Sequence, residues 1–216
     1  MTNNIELMRN YMIRQGIPML DKNMGDLFFI VMLVRRGKDH PDLSAANYTF
    51  KTYYIDSISK FDYFLDEMIK CCDLFKLRAY ISVNIKSKKE YSKMCAFKFT
   101  QNILNNEYKK PWRVGDHVFG KIRIKNKNTW LIDLDDINLD NEEDRLYFDQ
   151  VINIINSCDS NFDPIIIEKV PTRTGYHLLT HPFNIDKFEK KWKTMDLKHD
   201  IPGINKNHIT LLYENI

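Results

Sequence analysis

Cysteine is sparse here and badly placed for stapling or for zinc. The four thiols are Cys71, Cys72, Cys95 and Cys158, none in a C-x-x-C pair, and adjacent Cys71 and Cys72 are poorly placed to share one metal. The set argues against a zinc knuckle and against a disulfide framework, and reads as buried apolar thiols in a reducing compartment. Glycine and proline number only seven each, which excludes a fibrous or low-complexity chain. The longest apolar run, Leu27 to Val34, falls far short of the roughly 20 residues of a membrane span. The first residues, Met1 to Glu6, show no charged-then-apolar signal pattern. These absences predict a soluble cytoplasmic protein with no membrane partner. An excess of one charge is missing too: 32 Lys+Arg stand against 29 Asp+Glu, a formal +3. That balance permits nucleic-acid binding without requiring it. Lysine greatly outnumbers arginine, and Asn and Ile are abundant. Such usage follows an AT-rich coding sequence, so the lysine count alone carries little functional weight.

What is present is ordinary globular material. Hydrophobic residues make up 44% and charged ones 28% of 216 residues, enough for a full core in one domain. Residues 3 to 20 read as a short helix and a turn, with Gly16 and Pro18 as punctuation. Leu27 to Val34 and Tyr48 to Ile55 are strands by their β-branched and aromatic content. Asp56 to Phe75 has helical apolar spacing, with Ser57 or Ser59 to cap it. Arg78 to Asn84 is a strand. Ser87 to Tyr108 is a helix opened by a capping box, Ser87 with Glu90. Lys109 to Asn128 is a loop region with a short hairpin around Val118 to Ile124. Trp130 to Leu134 is a strand, Glu142 to Ser157 a helix, Pro164 to Val170 and Tyr176 to Thr180 strands, Ile185 to Met195 a helix, and His208 to Tyr213 a last strand. With no repeat or linker, this order predicts one α+β domain: a mixed β-sheet with flanking helices.

The chemistry concentrates at a strand end. Trp130-Leu131-Ile132-Asp133-Leu134-Asp135-Asp136 is apolar and then acidic. Residues i and i+2 of a strand share a face, so Asp133 and Asp135 project together. Two such carboxylates repel unless a cation lies between them. Mg²⁺ or Mn²⁺, with substrate phosphate completing the shell, suits an all-oxygen pair and phosphoryl or nucleotidyl transfer. Without function, the segment is a strand that ends in an Asp-rich turn. A second signal is Val170-Pro171-Thr172-Arg173-Thr174-Gly175-Tyr176-His177. A Gly turn with hydroxyl, guanidinium and imidazole groups makes an anion site, so Arg173, Thr174, Gly175 and His177 are candidate nucleotide-binding residues.

The two signals, in this order, resemble the archaeo-eukaryotic primase superfamily, especially its small phage and plasmid primase-polymerase type. Asp133-Leu134-Asp135 is similar to that family's paired-acid strand, and Thr174-Gly175-Tyr176-His177 to its Ser-x-His hairpin, with Thr in place of Ser. Met195-Asp196 is similar to its third motif, an apolar residue before a carboxylate; Asp200 is the alternative. Arg78 to Asn84 and Ile201 to Lys206 resemble the strand before the acidic motif and the Pro-Gly segment near the domain's end. The resemblance covers about residues 78 to 210. It implies an RRM-like catalytic core in a single domain 1–216, with 1–77 as an accessory αβ part and 78–216 as the catalytic part.

On that resemblance, Asp133, Asp135 and Asp196 are catalytic residues that hold divalent metal, and nucleoside triphosphate binds at Arg173, Thr174, Gly175 and His177. The implied activity is nucleotidyl transfer of the primase or polymerase kind. A single-stranded template would lie along Lys109, Lys110, Trp112 and Arg113, and a replication protein is a further partner. Trp112 or Phe119 would stack on a base; the plain reading of that segment is a solvated turn. The chief alternative is an inactive primase-like viral or plasmid protein, acting in host cytoplasm, that binds nucleic acid or a protein partner. A third reading starts from His208-Ile209-Thr210, the His-x-Thr pattern of two-histidine phosphoesterases. Its only partner, His177-Leu178-Leu179, lacks the second hydroxyl residue.

Overall fold

The structure, a computed structural model, describes residues 1–21, 25–40, 46–107, 114–122, 124, 128–195 and 200–215. Its largest feature grows from the most apolar segment. Strand β2 (Leu27–Arg35) has no charged residue before its last position, and it sits inside a sheet. Strands β3 (Tyr48–Ile55) and β4 (Arg78–Ser82) pair with it on either side. Strand β10 (Ile209–Glu214) pairs with β4, short β1 (Thr2–Asn3) with β10, and β5 (Lys86–Ser87) with β2. Helix α1 (Ile5–Arg14) and helix α2 (Ile58–Phe75) bury Met8, Tyr11, Met12, Phe61 and Met68 in the core that this sheet shares. Ser57 caps α2 by accepting from the Lys60 amide, and Lys76 ends it in a left-handed conformation.

The second unit runs β6 (Trp130–Leu134), α5 (Glu142–Asn156), β7 (Ile166–Pro171), β8 (Tyr176–Thr180), α6 (Ile185–Thr194) and β9 (Gly203–Asn205), its four strands forming a sheet on which the two helices pack. Its spatial order is β7-β8-β6-β9. Numbered within the unit, that is 4-1-3-2 read from the other edge, the split βαβ arrangement. The strand-helix-strand order predicts a mixed sheet, but every described pairing is antiparallel. The reason is topological: β8 turns back from β7 and inserts beside β6, so the strands joined by α5 never touch.

Strand alternation divides the small sheet between two cores. Ile132, Leu134 and Leu178 join α5 and α6 residues such as Phe148, Val151, Phe188 and Trp192. Leu131, Val170 and Leu179 point the other way and join the core of the larger sheet. Buried polar groups stitch the seam. Asn84 Nδ2 donates to the Thr129 carbonyl at 2.9 Å, and the Thr129 amide donates to Asn84 Oδ1 at 2.7 Å. Asn4 Nδ2 donates to the carbonyls of Pro171 and Leu211. The division at 77/78 expected from the sequence runs through the larger sheet, which takes β4, β5 and β10 from beyond it.

Two local expectations are corrected. Among the described residues of the hairpin expected around Val118 to Ile124 there is no strand; Val114–Phe119 is a short helix, α4. Val114 and Val118 lie one helical turn apart in α4 and, with Ile122 beyond its end, pack on Tyr91, Met94 and Cys95. Helix α3 (Lys88–Leu104) opens as expected, Ser87 Oγ accepting from the Glu90 amide, but it stops short of Tyr108, with Asn106 at φ 57° just beyond its end. Among the described residues no helix is long and apolar enough to cross a membrane.

Candidate functional site

Antiparallel register sets Asp133 of β6 directly opposite His177 of β8. Asp133 shares its face with Leu131, and His177 shares its face with Leu179, so both side chains point toward the larger sheet. His177 Nε2 lies 3.2 Å from Asp133 Oδ1. The approach is close but off the direction of a hydrogen bond, and Oδ1 is shielded from solvent with no donor aimed at it. The other ring nitrogen, Nδ1, lies 2.8 Å from the hydroxyl of Thr210, a buried residue of β10. One imidazole therefore bridges the two sheets. The His177 side chain is the main cause holding the Asp133 carboxyl below the usual carboxylate range; partial burial opposes it, and the charges of His177 and His208 add to the lowering.

Asp135 lies just past the end of β6 and is exposed in a turn. Asp136 reverses the chain in the left-handed region at φ 56°, which Asp tolerates better than most residues. Gly175 presses on this strand end: a Cβ there would stand 1.9 Å from the Leu134 carbonyl oxygen, so only glycine fits. The Thr174 carbonyl accepts from the Ile137 amide at 2.9 Å and ties hairpin to turn. Between them opens a cleft of about 500 Å³, lined by residues 136–139 and 171–176, a volume in the range of small-ligand sites. Arg173 and Thr174 line it. Arg173 also reaches Asp39 at 3.3 Å. Asp39 is held in bidentate fashion by Arg78, which pairs in turn with Glu214.

Asp133 and Asp135 offer only oxygen donors, the kind a hard divalent cation takes, and Asp133 Oδ1 is shielded from solvent without a hydrogen-bond donor aimed at it. Among the described residues no group of three His, Cys, Asp or Glu side chains is placed to hold a metal ion. Asp196 lies outside the described residues, as do Lys109, Lys110, Trp112 and Arg113; Asp200 is exposed. Sequence reasoning missed three participants: Thr210, which engages His177; Asp39, which engages Arg173; and His208, whose charge reaches Asp133. The only local signal was His208-Ile209-Thr210, and it pointed to a different chemistry. Neither a known protein family, nor a curated protein, nor a solved structure matches the chain.

Proposed function

We propose that this protein is a metal-dependent nucleotidyltransferase of the primase-polymerase kind. The observation that carries the reading is the cross-strand pair Asp133–His177 on the β6–β8 strands whose connecting turns, one of them a glycine-only hairpin, line a cleft at residues 136–139 and 171–176 that Asp133, Asp135 and His177 themselves do not line. Asp133 and Asp135 would hold Mg²⁺ or Mn²⁺, with Asp196 as the third carboxylate implied by the resemblance. When bound, such a cation lowers the pKa of an attacking hydroxyl and neutralises phosphate charge.

The chain's own residues have separate tasks in this reading. His177 Nε2 leaves Asp133 and donates to the triphosphate, while Thr210 keeps its grip on Nδ1. Arg173 offers a planar cation to a phosphate oxygen, and Thr174 a hydroxyl. Gly175 lets the hairpin backbone approach without a side chain in the way. The protein positions and neutralises; it forms no covalent intermediate. A single-stranded template and a replication protein complete the proposed partners.

The test is incorporation of labelled nucleoside triphosphate with Mn²⁺, with and without a primed template, for wild type and Asp133→Asn. Wild-type incorporation that the variant lacks supports the reading. A folded wild type that incorporates nothing and shows no melting shift with Mn²⁺ plus triphosphate returns the protein to the inactive, binding-only alternative.

A further inference from the structure

Helix α3 is unlike the other helices. It runs for 17 residues and buries none of them. Its one packed side carries Tyr91, Met94 and Cys95 against α4. By helical spacing Lys89, Lys93, Phe97 and Leu104 share a face on the opposite side. Phe97 is 66% exposed and Leu104 76%.

Charge singles out the same helix. It holds Lys88, Lys89, Lys93 and Lys98 against Glu90 alone, a net +3. The whole chain is also +3, so everything outside α3 sums to zero. The basic bias continues in sequence: residues 88–127 contain eleven Lys and Arg against three Asp and Glu. At the base of α3 a pocket of about 240 Å³ is lined by Phe28, Tyr54, Asp56, Lys88, Tyr91 and Ser92. The three aromatic rings there lie 5.6–6.1 Å apart pairwise. Tyr54 is 44% exposed on β3, the edge strand.

We infer that α3, with the Tyr54–Tyr91 pocket at its base, is a binding face for single-stranded nucleic acid. A hydrophobic partner protein would account for Phe97 and Leu104 but not for lysines one and two turns away on the same face. Double-stranded nucleic acid would use the lysines but not the rings. Unpaired bases stack on aromatic faces while their phosphates meet the lysines, and only that partner uses both. The face extends the nucleotidyl-transfer reading but does not rest on it, since no residue of the Asp133–His177 site takes part.

The experiment is fluorescence anisotropy with labelled oligo(dT), oligo(U) and a duplex across a salt series, using the full chain. Wild type binds one or both single strands more tightly than duplex. Phe97→Ala and Tyr54→Ala each weaken binding about tenfold, the loss of one stacked base. Phe97→Tyr restores it, which a role in folding alone would not require of so exposed a residue. The pair Lys89→Gln and Lys93→Gln flattens the slope of log affinity against log salt by about 1.4, at roughly 0.7 per lost phosphate contact. Asp133→Asn leaves all of this unchanged. Failure of wild type to bind single strands, or binding indifferent to these four positions, overturns the inference. So does a Phe97→Ala variant that turns a dimer into a monomer in sedimentation while nucleic-acid affinity stays constant. A chain that incorporates no nucleotide yet binds through α3 sinks the catalytic reading and leaves this one standing.

Discussion

The His177 imidazole stands 3.2 Å from the Asp133 carboxylate across the β6–β8 pair, with its other nitrogen on the Thr210 hydroxyl. That contact holds the carboxyl ionised to lower pH than an ordinary aspartate. The linkage has a fixed sign. A carboxyl depressed in the folded state adds stability that is fully present above its unfolded value, near 3.9, and is lost as pH falls through the folded value.

Replacing the ring should therefore move the carboxyl. In His177→Ala the main lowering cause is gone and partial burial remains, so Asp133 titrates at higher pH. Carbon-detected NMR of the aspartate carboxyls measures it directly. The stability gap between wild type and variant should be wider at neutral pH than near pH 3. An Asp133 resonance that titrates identically in both proteins would show that the contact is not made in solution.

A buried ion pair anchors the other side of the hairpin. Arg78 and Asp39 are 6% and 3% exposed, and Glu214 is 2% exposed. Burial pushes the Asp39 carboxyl up, but the Arg78 hydrogen bonds and charge, with help from Arg173, leave it below the usual range. Arg78→Ala strands two buried carboxylates, at a cost of about 3–5 kcal/mol near neutral pH in urea unfolding. Near pH 3 Asp39 accepts a proton in the variant, and the loss should shrink. A loss independent of pH would mean that packing of the arginine stem, not charge, is what matters.

Glycine at the hairpin gives a cleaner contrast. A Cβ on Gly175 meets only backbone, the Leu134 carbonyl and the Asp135 Cα, and backbone cannot swing aside. Gly175→Ala should cost more than the roughly 1–3 kcal/mol of ordinary overpacking. Gly203→Ala, with nothing within 4 Å of the added carbon, should be nearly neutral. Equal destabilisation of the two variants would remove the claimed contact between hairpin and strand end.

How far the sequence reached can be argued from these same residues. Strands Trp130–Leu134 and Tyr176–Thr180 were legible to the residue, because an apolar run ends in acids in one and follows a Gly turn in the other. The cap at Ser87 was legible, and that of α2 was narrowed to Ser57 or Ser59, because capping is local chemistry. Strand β9 was not: three residues with a glycine carry no periodicity, and only pairing with β6 makes them a strand. The bridge from His177 to Thr210 joins positions 33 apart in different sheets, and the Asp39–Arg78 pair joins positions 39 apart. No local pattern encodes such meetings. The acidic strand and the hairpin were seen as neighbours in function, but the register that sets Asp133 against His177 came from the topology alone.

Asp135 separates chemistry from fold most sharply. It is exposed beyond the end of β6, so Asp135→Asn removes a charge without opening the core. Asp133 lies two residues back at the same strand end, and neighbouring carboxylates repel when no cation is present. The variant should therefore melt at or slightly above the wild-type temperature in chelator. With Mn²⁺ the comparison reverses: wild type gains stability by binding the ion, and the variant, short of one ligand, gains less. If nucleotidyl transfer occurs here, losing that electrostatic contact should lower the rate on the order of a hundredfold or more. Melting with chelator, with Mn²⁺, and with Mn²⁺ plus triphosphate, run beside the incorporation assay, reads all three effects on one preparation. A variant equal to wild type in every metal condition would leave Asp133-Leu134-Asp135 as a polar strand end and nothing more.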